Sequence, residues 1–260
     1  MKLNYVYADP TGNITLLVTD SVNEARYGEL SKALLSLEPA AEQVGFIKEP
    51  ECGGDIFLHM AGGEFCGNAS LSTAALALLR EGRASGTVNT EVFGITGALK
   101  ADLTASSPGE YTGSIEMPLP ASLSERRFSY NDLSLTLPVV EMPGISHIIY
   151  LGEPFEGAQE AVQAWCDELG APALGIMFLS RGMSCLTPLV YVSSLKSLFW
   201  ERSCASGTCS AAFWLSRNSS VPLRFDFSEP GGILSAEACA ASLKLIGRVK
   251  LEMKSADINL

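Results

Sequence analysis

Gly63-Glu64-Phe65-Cys66-Gly67-Asn68-Ala69 and Trp200-Glu201-Arg202-Ser203-Cys204-Ala205-Ser206-Gly207 are the two stretches whose reading decides the fold. In each, an extended segment ends on a cysteine and small residues open a helix. The helix after Cys66 is predicted from Gly67 to Leu79, with Leu71, Ala74, Ala75, Leu78 and Leu79 on one face and Gly82 placed to end it. The helix after Cys204 begins at Ala205 or Ser206 and carries Ala211, Ala212 and Leu215. The two cysteines stand about half the chain apart, and a second pair of segments does the same. Tyr7-Ala8-Asp9-Pro10-Thr11-Gly12-Asn13-Ile14-Thr15-Leu16 resembles Glu141-Met142-Pro143-Gly144-Ile145-Ser146-His147-Ile148, with Gly12 matching Gly144. Two similar offsets in the same order predict a duplicated unit of about half the chain.

Outward from these segments, short alternating runs read as strands: Leu3 to Tyr7, Ile14 to Val18, Ile56 to Met60, Ser114 to Met117, Ile148 to Leu151 and Leu189 to Val192. A helix is predicted over 21–37, where Ser21 and Glu24 form a capping-box pattern ahead of Leu30, Ala33, Leu34 and Leu37. Another covers 157–169, with Val162, Trp165, Cys166 and Leu169 on one side and Gly170 after it. The turn-rich Ser106-Ser107-Pro108-Gly109 and Pro118-Leu119-Pro120 set a boundary near 110–120. We therefore expect an N-terminal lobe, 1–115, carrying Cys66, and a C-terminal lobe, 116–260, carrying Cys204. Each holds strands wrapped on a helix, with the active site in the cleft between them.

Composition bounds the function. The 260 residues are 47% hydrophobic, enough for a sizeable core. A formal charge of −11, with 18 scattered Lys and Arg, argues against nucleic acid, which needs a basic face. The start Met1-Lys2-Leu3-Asn4-Tyr5 lacks a signal-peptide run, and no stretch is long and apolar enough to span a membrane. Seven cysteines, with no CxxC pair, suit a reducing compartment, so a cytoplasmic protein is expected.

A thiol at a helix start meets unpaired N–H groups and the positive end of the helix dipole, both of which lower its pKa from about 8.5. The small residues after each thiol let a carboxylate approach those N–H groups. If two such helix starts hold one carboxylate, its α-carbon lies between two sulfurs, and one thiolate removes the α-proton while the opposite thiol protonates the other face. The same donors stabilise the charge that develops on the carboxylate oxygens, so no electron-sink cofactor is required. The sequence shows neither a nucleotide-binding glycine fingerprint nor a marked Schiff-base lysine. Glu201 is a candidate for the substrate ammonium, and Arg202 for a carboxylate or for positioning Glu201. Cys52, Cys166, Cys185, Cys209 and Cys239 read as structural, with Cys166 and Cys209 on the core sides of helices, as do Trp200, Trp214 and His147. With two histidines and no ligand spacing, no metal site is expected. Asn13 is either a turn cap or a substrate contact.

At these residues the chain resembles the PLP-independent racemases and epimerases of the diaminopimelate epimerase family. The first cysteine of that family stands in Cys-Gly-Asn, matched by Cys66-Gly67-Asn68, and the second follows Glu-Arg, matched by Glu201-Arg202-Ser203-Cys204-Ala205-Ser206-Gly207. Gly12-Asn13 matches as well. The resemblance implies an α/β (α+β) fold of two pseudo-symmetric lobes, each a strongly curved, mostly antiparallel sheet wrapped on a central helix, with room for the last strand to return to the first lobe. It implies Cys66 and Cys204 as the acid–base pair, Gly67, Asn68, Ala205 and Ser206 at the α-carboxylate, Glu201 at the amino group, and Asn13 and Gln43 lining the site. It also implies a homodimer.

Where diaminopimelate epimerases place distal asparagines, this chain has Gly144-Ile145-Ser146-His147 and Gly175-Ile176, so a second carboxylate and ammonium would find few partners. The blocks Pro10 to Val18, Glu42 to Ile47, Met60 to Ser72, Pro188 to Thr208 and Pro230-Gly231-Gly232 are more similar to the histidine racemases of the staphylopine metallophore pathway. That resemblance implies conversion of L-histidine to D-histidine, with Glu42 available to a polar head such as imidazole. Arg202 and Ala205 stand where those enzymes have asparagine and glycine. Three alternatives remain at this point: an epimerase of diaminopimelate or another diamino acid, a non-catalytic amino-acid-binding protein, and an isomerase that shifts a double bond.

Overall fold

The computed structural model describes residues 1–131, 133–193 and 196–258. The chain divides into two compact units: Met1–Glu116 together with Ile246–Leu260, and Met117–Leu245. In chain order, the first unit contains β1 (Lys2–Asp9), β2 (Thr15–Val18), α1 (Tyr27–Leu37), β3 (Gln43–Lys48), β4 (Ile56–Met60), α2 (Gly67–Arg80), β5 (Ser85–Val92), β6 (Ala98–Ser107) and β7 (Glu110–Glu116). The second contains β8 (Ser122–Tyr130), β9 (Leu133–Met142), β10 (Ile145–Leu151), α3 (Ala158–Leu169), β11 (Ala173–Ser180), β12 (Cys185–Val192), β13 (Ser197–Trp200), α4 (Ala205–Ser216), β14 (Leu223–Glu229) and β15 (Gly232–Cys239). The last strand, β16 (Ser242–Asp257), starts in the second unit and belongs to the first from Ile246 onward. The fold is α+β and mostly sheet, and among the described residues no helix is long and apolar enough to cross a membrane.

Within the first unit the strands run β1-β2-β3-β4-β5-β6-β7-β16, and β16 pairs back onto β1 from Lys2↔Asp257 to Asp9↔Lys250. That pairing closes the sheet into a barrel, which leaves no exposed strand edge along β1. Helix α2 packs against strands all round this barrel, and Gly67 through Leu78 are buried on every face. A helix enclosed in this way must be narrow, and Ala69, Ser70, Ser72, Thr73, Ala74, Ala75 and Ala77 make it so. Two of its buried hydroxyls bond back one turn, Ser70 Oγ to Cys66 O at 2.7 Å and Ser72 Oγ to Asn68 O at 2.9 Å. Outside, α1 packs on β3, with Tyr27 stacked on Phe46 at 3.6 Å between ring centroids.

The second unit repeats this wiring. An antiparallel pair, β1–β2 or β9–β10, leads through an outer helix, α1 or α3, to a parallel neighbour, β3 or β11. An antiparallel partner follows, β4 or β12. The central helix, α2 or α4, then crosses to the parallel strands β5 or β14. Gly12 and Gly144, matched in the sequence, both sit in the left-handed region at φ +92° and +78°, a conformation that favours glycine in tight turns. The outer helix α3 seats Trp165 and Val162 against Phe128, Ile176 and Phe178, and the Trp165 indole N–H donates to Ser129 O at 3.1 Å.

Two local expectations are corrected. The helix predicted over 21–37 begins as a single 3-10 turn, Glu24–Arg26, and becomes α-helical only at Tyr27. Its cap is Asn23, whose carbonyl Oδ1 accepts the Ala25 N–H at 2.9 Å, because the turn starts later than Ser21 and brings a different side chain within reach of its second amide. The 157–169 helix ends as read, with Gly170 at φ +62°.

Candidate active site

In the first unit, Cys66 is the N-cap of α2. Its backbone is extended, at φ −133° and ψ 112°, and its sulfur accepts the N–H of Ala69 at 3.4 Å. A side chain between the last extended residue and the first helical turn takes the third free amide, which is what a capping oxygen does elsewhere. Gln43, at the start of β3, brings its amide nitrogen to 3.1 Å from the same sulfur. That nitrogen also lies 2.7 Å from Asn13 Oδ1 and 2.9 Å from Thr15 Oγ1. Asn13 in turn donates through Nδ2 to Glu42 Oε2. The residues singled out here, Asn13, Glu42, Gln43, Cys66, Gly67 and Asn68, are thus joined by hydrogen bonds or by the first turn of α2. Asn13 and Asn68 are buried, whereas Glu42 is exposed. The turn beneath is held by Asp9, whose Oδ1 accepts the Gly12 N–H at 2.6 Å.

In the second unit, Cys204 caps α4 with nearly the same backbone, φ −128° and ψ 103°, and its sulfur accepts the N–H of Gly207 at 3.3 Å. Ser206 Oγ lies 3.6 Å from that sulfur and 2.9 Å from His147 Nε2. The Cys204 main-chain N–H donates to Glu229 Oε2 at 2.8 Å, and the Thr208 hydroxyl hydrogen-bonds the other carboxyl oxygen. Glu201 is half-buried, and Ala205 and Ser206 form the first turn. Arg202 is exposed, and its carbonyl accepts the Gly231 N–H at 2.7 Å.

Electrostatics here depart from the sequence reading in one respect. The Cys204 thiol is held well above its ordinary range, first by burial and then by the nearby Glu201 carboxylate, with Ser206 acting in the opposite direction. Burial disfavours the charged form more than the helix start favours it. At Cys204, burial thus favours the neutral thiol. Burial also pushes Glu229 up to about 8, despite hydrogen bonds from Thr208 and the Cys204 amide, and pushes His147 down to about 3.

Cys166 and Cys209 are buried on helices of the core, and Cys52 is exposed. His147, Thr208, Thr15 and Glu229 are the residues around the two sulfurs that the sequence reading did not select. For Glu229 a signal existed: it directly precedes Pro230-Gly231-Gly232, one of the similarity blocks, and so sits where the chain turns back toward Arg202.

The family model described as "Histidine racemase CntK N-terminal domain" matches residues 2–255. A curated relative named histidine racemase, from Fusobacterium nucleatum subsp. nucleatum, is 33% identical over 242 residues, covering 89% of this chain and 88% of the relative. Among solved structures, a Bacillus anthracis protein of the PhzF phenazine biosynthesis family superposes with a TM-score of 0.70 at 11% identity, covering 99% of this chain and 100% of that one. A hydroxyproline epimerase from Agrobacterium vitis, with bound trans-4-hydroxy-L-proline, superposes with a TM-score of 0.69 at 12% identity, covering 98% and 92%. At those identities the two structures share the fold with this chain.

Proposed function

The chain belongs to this histidine racemase family, and on that footing we propose that it interconverts L-histidine and D-histidine, with Cys66 and Cys204 as the two acid–base groups at the substrate α-carbon. The observation that carries the reading is the 33% identity to a histidine racemase across 89% of the chain. The chemistry of the two helix starts supports it. Each sulfur occupies the N-cap and takes the third amide of its helix, so a carboxylate placed at either helix start would meet main-chain N–H groups and the positive end of the helix dipole.

In the proposed reaction those N–H groups bind the α-carboxylate, and they gain strength as charge moves onto its oxygens during deprotonation. An external electron sink is then unnecessary. Cys204, neutral at rest, donates its S–H proton to the α-carbon while Cys66 removes the proton from the opposite face. After that exchange the roles are reversed, and the return reaction runs with Cys204 as base. Glu201 carries the charge complementary to the substrate ammonium, and, after burial, it is the second cause that favours the protonated form of Cys204. Asn13 and Gln43 line the substrate side of Cys66, Glu42 serves the imidazole, and Arg202 positions Glu201. Kinship with the diaminopimelate epimerases, a homodimeric assembly and a cytoplasmic setting belong to the same proposal.

Chiral separation after incubation with a panel of L-amino acids, L,L-diaminopimelate included, tests the reading. D-histidine formation well ahead of every other product supports it. Epimerised diaminopimelate with unchanged L-histidine would replace it with a diamino-acid epimerase, and binding without any turnover would make the chain a binding protein.

A further inference from the structure

The two sulfurs sit in equivalent backbone positions but in different company, and among the described residues the difference lies in a chain of side-chain amides that reaches Cys66. Gln43 places one amide nitrogen within 3.1 Å of three acceptors: Asn13 Oδ1 at 2.7 Å, Thr15 Oγ1 at 2.9 Å and Cys66 Sγ at 3.1 Å. A primary amide has two hydrogens on nitrogen and none on oxygen, so these three acceptors share two hydrogens, and the arrangement holds only while nitrogen, not oxygen, faces the sulfur. Asn13 enforces that choice. Its Oδ1 points at Gln43 because its Nδ2 is engaged by Glu42 Oε2, and a carboxylate accepts but does not donate. Reversing either amide would set oxygen against oxygen. Thr15, fully buried, fixes the height of the Gln43 amide between strands β2 and β3, which pair in parallel from Thr15↔Gln43.

We propose that Glu42 is a positioning residue that acts through Asn13 and Gln43 to keep an N–H donor on the Cys66 sulfur, making Cys66 the sulfur held ready as the thiolate. The inference deepens the racemase reading and rests on it for the word base. A sulfur that accepts from the Gln43 side chain and the Ala69 main chain is stabilised in its anionic form, because hydrogen bonds to the charged form favour it. Beside Cys204, among the described residues, stand the Ser206 hydroxyl at 3.6 Å and the Glu201 carboxylate rather than a side-chain amide. The charged groups around the network are the Glu42 carboxylate at its outer end, Asp9, which is bonded to the Gly12 N–H, and the exposed Glu64 two positions before Cys66.

The test reads the thiol directly and uses no substrate, so its outcome is separate from that of the racemase assay. Alkylation of Cys66 and Cys204 by iodoacetamide is followed peptide by peptide by mass spectrometry as a function of pH, in the wild-type protein, Gln43→Leu and Glu42→Gln. Loss of the donor in Gln43→Leu should move the midpoint of the Cys66 profile upward by about one pH unit, a roughly tenfold slower reaction at pH values below it. Glu42→Gln, whose amide no longer dictates which way Asn13 faces, should move it in the same direction by less. The Cys204 profile should stay in place in both. An unchanged Cys66 profile in both variants, with native circular dichroism, would overturn the proposal. If Gln43→Leu does not fold, the isosteric Glu42→Gln decides alone, and its failure to shift the Cys66 profile counts against the proposal.

Discussion

Cys204 and Glu229 are joined through the main chain: the N–H of the cysteine donates to the carboxyl of the glutamate at 2.8 Å, so the acid that anchors the sulfur's backbone is itself fully buried. The carboxyl holds its proton up to about 8, and His147, one hydroxyl away from the sulfur, stays neutral down to about 3. Both choices follow from burial, which opposes charge of either sign.

Stability should therefore depend on pH in a shape set by these two groups. Between the ordinary carboxyl value of 4.5 and about 8, the folded protein keeps a Glu229 proton that the unfolded chain has lost, so Glu229 contributes a loss of stability as pH rises. Between about 3 and the ordinary histidine value of 6.5, the unfolded chain binds a His147 proton that the folded protein refuses, so His147 contributes a loss as pH falls. The two slopes oppose each other from 4.5 to 6.5. Thermal denaturation should show a plateau there and a decline from 6.5 to 8, of at most about 1.4 kcal/mol per pH unit. Glu229→Gln, which mimics the protonated acid, should abolish the decline, leave a rise from 4.5 to 6.5, and cost little at pH 6. Parallel curves for the two proteins would contradict the assignment. Glu229→Ala strands the Cys204 N–H and the Thr208 hydroxyl and should cost about 1–3 kcal/mol for each.

Gly207 gives a packing prediction. A Cβ at this position would lie 2.1 Å from Met177 Sδ and 3.1 Å from Cys204 Sγ. Gly207→Ala should therefore destabilise the protein by about 1–3 kcal/mol and displace the Cys204 sulfur. Met177→Ala alone opens a cavity and should cost about 2–5 kcal/mol. In urea titrations the double variant should cost less than the two single losses added, because truncating Met177 makes room for the new methyl. Strict additivity would show that the methyl is accommodated elsewhere.

The two sulfurs give a kinetic prediction. On the proposed mechanism each cysteine is one proton carrier, so Cys66→Ser and Cys204→Ser should each lower kcat for histidine racemisation by on the order of 10² to 10⁴. Binding of histidine, read by calorimetry, should persist, because the helix amides remain. A variant that keeps wild-type kcat would remove that cysteine from the acid–base pair.

Much of this architecture is visible in the sequence for physical reasons that can be named. α3 carries its helical period, and Gly170 marks its end because the left-handed conformation closes that turn; α2, read with one apolar face, is instead buried on every face because it is enclosed by the barrel. The two cysteines stand out because small residues follow each. Strand β16 is harder to read: it buries one face and carries Lys244, Arg248, Lys250 and Glu252 along its length, and its role in closing a barrel exists only once β1 and β7 are in place. Ser21 fails as a cap because the chain takes a 3-10 turn first, a tertiary choice that propensity does not encode. The high pKa of Cys204 was also illegible. A helix start argues for a low one, and only burial together with Glu201 reverses it. Gln43 was named through the family resemblance, but the direction of its amide depends on Asn13, which lies on a different strand connection.

The most direct measurement is proton exchange at the α-carbon. L-histidine incubated with the protein in D₂O should gain one deuterium at Cα as D-histidine accumulates, and each of Cys66→Ser and Cys204→Ser should suppress the formation of D-histidine. Retention of the original Cα proton in all recovered histidine, with no D-enantiomer formed by the folded wild-type protein, would contradict the account.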